Sequence, residues 1–346
     1  MKSIHLIIPD LFLHEDVAAE VCAGLRLPVL EKMLARGSLA EMSSPADQGR
    51  TDLTGLALEN RLCKLFDVHV YGDVPVAPIS AAFDGLAEGC WLRADPVHLS
   101  LQRDQLLLAK VPVGKEEAEA LCVSLNGHFA GQGMEFFSPH PQRWYVRLGK
   151  LPKMRTTPLS QVIGCDVRRL LPSGEEAAHW LQVFNEIQML LHAHLLNEVR
   201  ASRGELPINS VWFWGGGDAV GPLRGDFQSV SSDDVLVEMF AKAAGILFSS
   251  WSKDWHVEDC SGEQLLVWLG LSAALRRGDF VAWRNALQDF ETSYTQPLWR
   301  ALRAGKITQL NLDMTGGNKS LHVQLTRSDT WAVWRRAKTL SCYSMV

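Results

Sequence analysis

The stretch His179–Asp218, HWLQVFNEIQMLLHAHLLNEVRASRGELPINSVWFWGGGD, restricts the fold of this chain more than any other part of it. It reads as a long amphipathic helix, a short polar connection, a buried strand and a glycine turn. Trp180, Val183, Phe184, Ile187, Leu190 and Leu191 recur at the i, i+3, i+4, i+7 spacing of a core-facing stripe, with Asn185, Gln188 and His192 opposite. His192 and His194 point about 160° apart on a helix, so they cannot hold one metal together, and His194 falls on the apolar stripe as a hydrogen-bonded core or boundary residue. Pro207 stops any helix, and Val211–Trp214 is apolar enough for a buried strand. Gly215-Gly216-Gly217 follows at once, where a backbone must turn tightly or approach a ligand closely. It has neither the Lys-Ser/Thr of a P-loop nor the spacing of a dinucleotide fingerprint, so a tight turn below a sheet is the plain reading.

With 346 residues the chain can bury a sizeable core, read as one large domain with a smaller lobe inserted or attached. A hydrophobic content of 47% and a charged content of 21% are those of an ordinary globular protein. The formal net charge of −5 gives no electrostatic case for binding nucleic acid. Twelve Trp against four Tyr reads as large core fillers, some of them half-buried. The seven cysteines form no Cys-x-x-Cys pair, so a disulfide framework or zinc knuckle is not expected and a reducing cytoplasm fits. The first strand, Ile4–Ile8, has no basic segment or cleavage site before it to suggest export, and no run approaches the ~18 apolar residues of a membrane span. The expected partners exclude nucleic acid and membrane.

Along the chain, Ser3–Asp10 is an apolar strand ending in Pro-Asp, Leu27–Arg36 a helix, and Gly37–Met42 a second strand. Ser43–Asp52 is loop-like, Leu53–Phe66 is helical by pattern, and Pro75–Pro78 is a rigid break. Short strands and turns occupy Trp91–Leu171, around a helix at Lys115–Phe129 and a turn-prone Phe136–Pro141. Ser232–Leu247 reads as a helix, Leu265–Leu269 as a strand, and Phe280–Leu302 as one or two helices. Ile307–Met314 and Leu321–Leu325 pair as strands across Gly316-Gly317. Strands alternating with helices at both ends predict an α/β sandwich on a mainly parallel sheet. The core is expected over 1–88 and 172–346, with 89–171 as an inserted α+β cap.

Asn197, Arg200, Gly204, Pro207, Asn209, Trp214, Gly215 and Gly217 together resemble a motif of the archaeal-type cofactor-independent phosphoglycerate mutases, members of the alkaline phosphatase superfamily. Cys90–Leu99 (CWLRADPVHL), Gln142–Leu148 (QRWYVRL) and Trp331–Arg336 (WAVWRR) resemble, nearly end to end with the rest, the bacterial RpfE-type regulatory proteins. The resemblance implies an alkaline phosphatase-like three-layer sandwich. It also implies a site in which two divalent ions, Mn or Zn, clamp a phosphoryl group while a Ser or Thr hydroxyl attacks in line. The RpfE-type likeness implies regulation and leaves the biochemistry open.

Taken residue by residue, Asp10 stands where the first metal ligand is expected, although a lone Asp at a strand end is commonly a cap or turn residue. Ser43, Ser44, Thr51 and Thr54 lie in the region of the nucleophile, without the glycine-containing turn of the mutases. The late strand Leu265–Leu269 offers no His or carboxylate. Asp313 stands where an Asp-His pair is expected, with Met314 in place of the imidazole, and thioether sulfur is a poor ligand for these metals. Two ions about 4 Å apart need several anionic ligands, and Asp10 and Asp313 are the two remnants this sequence supplies. No resident cofactor is therefore expected, unless a Mn or Zn site survives. Arg93, His98, Arg143, Asn197, Arg200, Gly215 and Gly217 are expected to face one cleft that takes a phosphorylated or carboxylated ligand. Trp331–Arg336 sets two aromatics beside two cations; packing against the body is the plainer role, and a membrane or nucleic-acid role requires a wider basic patch.

These residues predict a phosphoglycerate mutase-like protein with a degenerate metal site that regulates by binding an anionic ligand or a protein partner. The rival is an active mutase or phosphatase with altered ligands such as His98, His256 or Asp259. The third reading is a structural interaction protein with a closed cleft.

Overall fold

Strand β1 (Ser3–Ile8) buries Ile4, Leu6 and Ile8 in the main apolar cluster and carries His5 and Ile7 on its other face, the two-residue alternation of a strand inside a sheet. The computed structural model describes residues 2–41, 57–70, 72–219, 221–260, 262–317 and 319–344. After β1 come α1 (Glu15–Val21), α2 (Pro28–Arg36), β2 (Ser38–Glu41), α3 (Leu58–Leu65), α4 (Val76–Phe83), β3 (Cys90–Gln102) and β4 (Gln105–Lys110). Next are α5 (Lys115–His128), β5 (Met134–His140), β6 (Arg143–Leu148), α6 (Leu159–Val162), α7 (Ala177–His192), α8 (Leu195–Ser202) and β7 (Ser210–Gly217). The chain continues with β8 (Ser229–Ser232), α9 (Val235–Ala243), β9 (Leu247–Ser250), β10 (Glu263–Val267), α10 (Ser272–Arg276) and α11 (Phe280–Phe290). It closes with α12 (Gln296–Arg303), β11 (Gln309–Gly316), β12 (Lys319–Thr326) and α13 (Leu340–Ser344).

Two compact units result, one from 1–58 with 224–346 and the other from 59–223. The first holds a seven-stranded sheet in the order β2-β12-β11-β1-β10-β8-β9. Parallel pairing joins β11, β1, β10, β8 and β9, and only β12 runs against its neighbours. This is the α/β class, with a mostly parallel sheet, that the alternation predicted. One face packs Leu266, Leu310, Leu312 and Val323 against Leu30, Met33 and Leu34 of α2, Trp283 and Leu287 of α11, and Leu298 and Leu302 of α12. On the other, α9 packs on β8. The β11–β12 hairpin forms as expected, in the register Asp313 to His322.

The second unit is built on a sheet in which β3 is paired by β4 and β6 along one side and by β7 along the other, all antiparallel. Its β7 lies in this sheet and not in the parallel one, so the junctions expected at 88/89 and 171/172 fall inside this unit. The strand is buried along its whole length, which a central position between β3 and helices α4 and α7 explains.

Several local expectations are corrected. Pro75–Pro78 does not break the chain but opens α4, where the first-turn N–H groups need no helical partner. Phe136–Pro141 lies mostly in β5, paired with β6, and Pro139 sits in the irregularity between Phe137 and His140. Ser232–Leu247 contains a shorter helix, flanked by the serine-rich strands β8 and β9. The long helix of the opening motif is two helices. The break falls at Ala193, and His194 caps the second by accepting from the Leu196 N–H at 3.2 Å. Ser43, Ser44, Thr51 and Thr54, with the loop expected at Ser43–Asp52, lie outside the described residues.

Candidate functional site

The motif that carried the resemblance is a set of backbone ties. Asn197 donates from Nδ2 to the carbonyls of Leu191 (2.7 Å) and Ile208 (2.9 Å), and its Oδ1 accepts from the Ile208 N–H (2.8 Å). One amide thereby fixes the break between α7 and α8 and the start of β7 together. Arg200 is 2% exposed; Nη1 meets both Glu117 oxygens at 2.9 and 2.8 Å, while Nε and Nη2 donate to the carbonyls of Leu206 (2.9 Å) and Pro112 (3.0 Å). Gly204 follows α8 in the left-handed region (φ 72°), the place of a helix-ending glycine. The Pro207 carbonyl accepts from His98 Nδ1 at 3.0 Å, and Asn209 pairs through both side-chain atoms with the Leu99 backbone at 2.8 Å.

Gly215 has φ 70° and donates its N–H to the Thr156 hydroxyl at 3.2 Å. A Cβ on Gly217 would stand 2.6 Å from the Pro75 ring and 3.0 Å from Pro78, so this glycine lets β7 approach the start of α4. The run is therefore a close approach within a strand and not a turn below the sheet.

Around Trp214 lies a second set of polar groups on β3, β6 and α4. Arg93, 6% exposed, donates to Asp95 Oδ1 from Nη2 (2.5 Å) and Nε (3.2 Å), and to the Ser80 hydroxyl at 3.4 Å. Its guanidinium lies over the rings of Tyr145 (5.1 Å) and Trp214 (5.3 Å), and Trp214 Nε1 donates to the other Asp95 oxygen at 2.7 Å. Arg143 makes a bidentate pair with Asp84, at 2.9 and 2.6 Å, and the Tyr145 hydroxyl donates to the same carboxylate at 2.5 Å. The expected cluster of three uncompensated arginines is thus corrected: Arg93, Arg143 and Arg200 each meet a separate carboxylate, Asp95, Asp84 and Glu117. Strand alternation explains the first pair, since residues two apart share a face.

Burial pushes the Asp84 carboxyl up, but the hydrogen bonds from Arg143 and Tyr145 and the charge of Arg143 outweigh it and hold the group below its ordinary range. A depressed native pKa adds stability above the unfolded value near 4, and that stability is lost as pH falls through the native value. Urea midpoints of the second unit should therefore drop below about pH 4, and Asp84→Asn should flatten that drop while lowering the plateau above it. An unchanged slope in the variant would remove Asp84 as the cause.

In the first unit, Asp313 is fully buried and each of its oxygens is 2.6 Å from an imidazole nitrogen, His5 Nε2 and His322 Nδ1. Asp10 sits two residues beyond β1 with φ 60°, a conformation Asp tolerates better than most, and its carboxylate accepts the Ser272 hydroxyl. Its carbonyl accepts from Trp283 Nε1 at 3.1 Å. Asp313 thus lies within β11 and Asp10 in the turn after the neighbouring β1, with different side-chain partners. Among the described residues no three His, Cys, Asp or Glu side chains gather where a metal could be held. The donors among the described residues do not by themselves make up a two-metal centre of the kind the resemblance implies. His256 of the rival ligand set is exposed at the head of a short 3-10 turn, and Asp259 is exposed within it.

Sequence reasoning missed Asp84, Asp95, Glu117, His5, His322 and Ser272. The signal for His5 and His322 was present, a polar residue amid strand-forming apolar ones in SIHLII and LHVQL, but the neighbours that pair them are set by topology.

No family model matches the chain. It is 26% identical over 209 residues, 58% of its length, to a 2,3-bisphosphoglycerate-independent phosphoglycerate mutase from Methanosarcina mazei. It is 23% identical over 300 residues, 84% of its length, to the enzyme of the same description from Methanosarcina acetivorans. The chain spans 50% and 66% of the lengths of these two relatives. Among solved structures, the PH0037 protein from Pyrococcus horikoshii aligns over 99% of this chain and 92% of its own, with a TM-score of 0.54 at 14% identity. That likeness extends to the fold alone, an α/β fold with a mostly parallel central sheet.

Proposed function

We propose that this chain is a phosphoglycerate mutase-like protein of the RpfE type that performs no two-metal phosphoryl transfer and regulates by binding a protein partner. The observation that carries this reading is the engagement of every candidate site side chain by the protein itself. Arg93, Arg143 and Arg200 each hold a carboxylate, Asp313 holds two imidazoles, and Asn197 holds backbone. A phosphate-binding arginine needs its fork unclaimed, because an anion entering such a pair must displace a charge-assisted bond to a partly desolvated carboxylate. A small phosphorylated ligand is accordingly the weaker form of the proposal, and a partner surface the stronger. A cytoplasmic site of action belongs to the same reading, in keeping with seven cysteines that form no disulfide.

The test is direct. After incubation with Mn or Zn and desalting, the protein should retain well under one ion per chain and should not interconvert 3- and 2-phosphoglycerate. Thermal melts against 3-phosphoglycerate should show no dose-dependent rise of the size mass action requires. Two retained ions per chain, with interconversion abolished by Asp10→Ala, would replace this reading by an active mutase that draws its ligands differently.

A further inference from the structure

The segment Trp331–Lys338, WAVWRRAK, is the part of the resemblance that the sites above leave unused. Its plainer role, packing against the body, does not describe it: Trp331 is 54% exposed, Val333 70% and Trp334 76%, while Ala332 between them is buried. The segment is nonetheless pinned. Arg335 donates to the carbonyls of Arg36 (2.8 Å) and Gly37 (3.2 Å), and Arg36 donates to the carbonyl of Thr330 (2.7 Å). Three large apolar side chains are thus held outward on a fixed backbone.

The surroundings are basic. Arg303 lies over the Trp331 ring at 4.7 Å, and Arg327 donates to the Arg303 carbonyl at 3.2 Å. Arg336 and Lys338 are exposed. The acid within this stretch, Asp329, turns its carboxylate to the N–H and hydroxyl of Thr326. The fold therefore adds Arg303 and Arg327 to the cations visible in the sequence, on a chain whose net charge is −5.

We propose that this face docks on an anionic lipid bilayer surface, with Trp331, Val333 and Trp334 in the headgroup layer and the surrounding cations on lipid phosphates. Tryptophan is the side chain best suited to that layer, having a large apolar ring and one N–H donor, and cations beside it add attraction to anionic lipid. No helix of the described residues is long and apolar enough to cross a membrane, so the contact is peripheral. A second copy meeting this patch about a two-fold axis would set like charges against one another. A nucleic-acid strand would stack on the two rings but gain nothing from the exposed Val333.

Co-sedimentation with vesicles of phosphatidylcholine, alone or with phosphatidylglycerol, tests this on the full chain. Binding is expected to anionic vesicles only and to weaken with salt. Arg336→Glu/Lys338→Glu should lower it by at least about 25-fold, from roughly fivefold per cation. Trp334→Ser should lower it several-fold, with an unchanged thermal melt because this ring is 76% exposed. Absence of binding to anionic vesicles, or binding undiminished in both variants, overturns the proposal. So does tryptophan-dependent binding of poly-uridylate, or a concentration-dependent dimer lost in the tryptophan variant, without vesicle binding.

Discussion

Arg200→Ala should destabilise the second unit by about 3–5 kcal/mol, the range for removing one partner of a buried ion pair. Four acceptors lose an arginine donor at once, both oxygens of Glu117 and the carbonyls of Leu206 and Pro112, and of these Glu117 Oε2 keeps the Gly114 N–H. The guanidinium itself is 2% exposed, so its removal also leaves a void, although Glu117 keeps 20% exposure and Leu206 51%. Alkylation of Cys122, which is buried on the same helix as Glu117, followed across a urea series by mass spectrometry, reports this unit alone. Arg200→Lys should recover little, because a single ammonium cannot serve a carboxylate and two separately placed carbonyls. A loss below about 1 kcal/mol would mean that the pair behaves as a solvated surface contact, and the argument that this arginine is structural would fall with it.

Asp95→Ala is expected to be as damaging, again about 3–5 kcal/mol, for a different reason. It leaves the buried guanidinium of Arg93 without its counter-charge and the Trp214 indole N–H without its acceptor. Arg93 has only the Ser80 hydroxyl and two ring faces as further partners among those described. Replacing the pair together, as Arg93→Met/Asp95→Leu, should restore most of the loss, since a buried ion pair often exchanges for apolar side chains at little cost. A double variant as unstable as Asp95→Ala would show that the pair specifies the β3–β7 register rather than only satisfying itself. Both aspartate and arginine would then be needed to bring Trp214 opposite Arg93.

The α/β class and most elements of the first unit were legible because apolar periodicity and turn residues are local signals. β1, α2, β10 and the β11–β12 hairpin needed nothing more. The break between α7 and α8 was not legible because the apolar periodicity carries no trace of it: its cause is local side-chain capping, Asn197 and His194 satisfying backbone groups that a continuous helix would have paired internally. The membership of β7 was missed for a similar reason. A buried apolar strand reads alike in a parallel core and at a helix-covered edge of an antiparallel sheet, and only its partner β3 decides.

Among the candidate site residues, the arginines were found and their roles were not. Arg93 stands two residues from its carboxylate, a spacing visible in RAD, whereas Arg143 and Arg200 draw theirs from 59 and 83 positions away. A resemblance motif can be retained for folding alone. Asn197, Gly204 and Gly217 show how: each solves a backbone problem that persists whatever chemistry the protein performs.

The interleaving of the two units sets an order of events during synthesis. The second unit is one continuous run, 59–223, so all of its strands are translated before β8 is made. The first unit cannot close so early. Its β1 takes hydrogen bonds from β10 on one side and β11 on the other, strands translated some 260 and 306 positions later, as the pairs Ser3–Glu263 and Ser3–Gln309 record. At ~5–20 residues per second, that apolar strand waits on the order of tens of seconds with both edges open. A nascent chain halted once residue 223 has cleared the exit tunnel should therefore present a protease-resistant second unit preceded by a sticky 1–58 segment. Holdase chaperones would engage that segment rather than the finished domain.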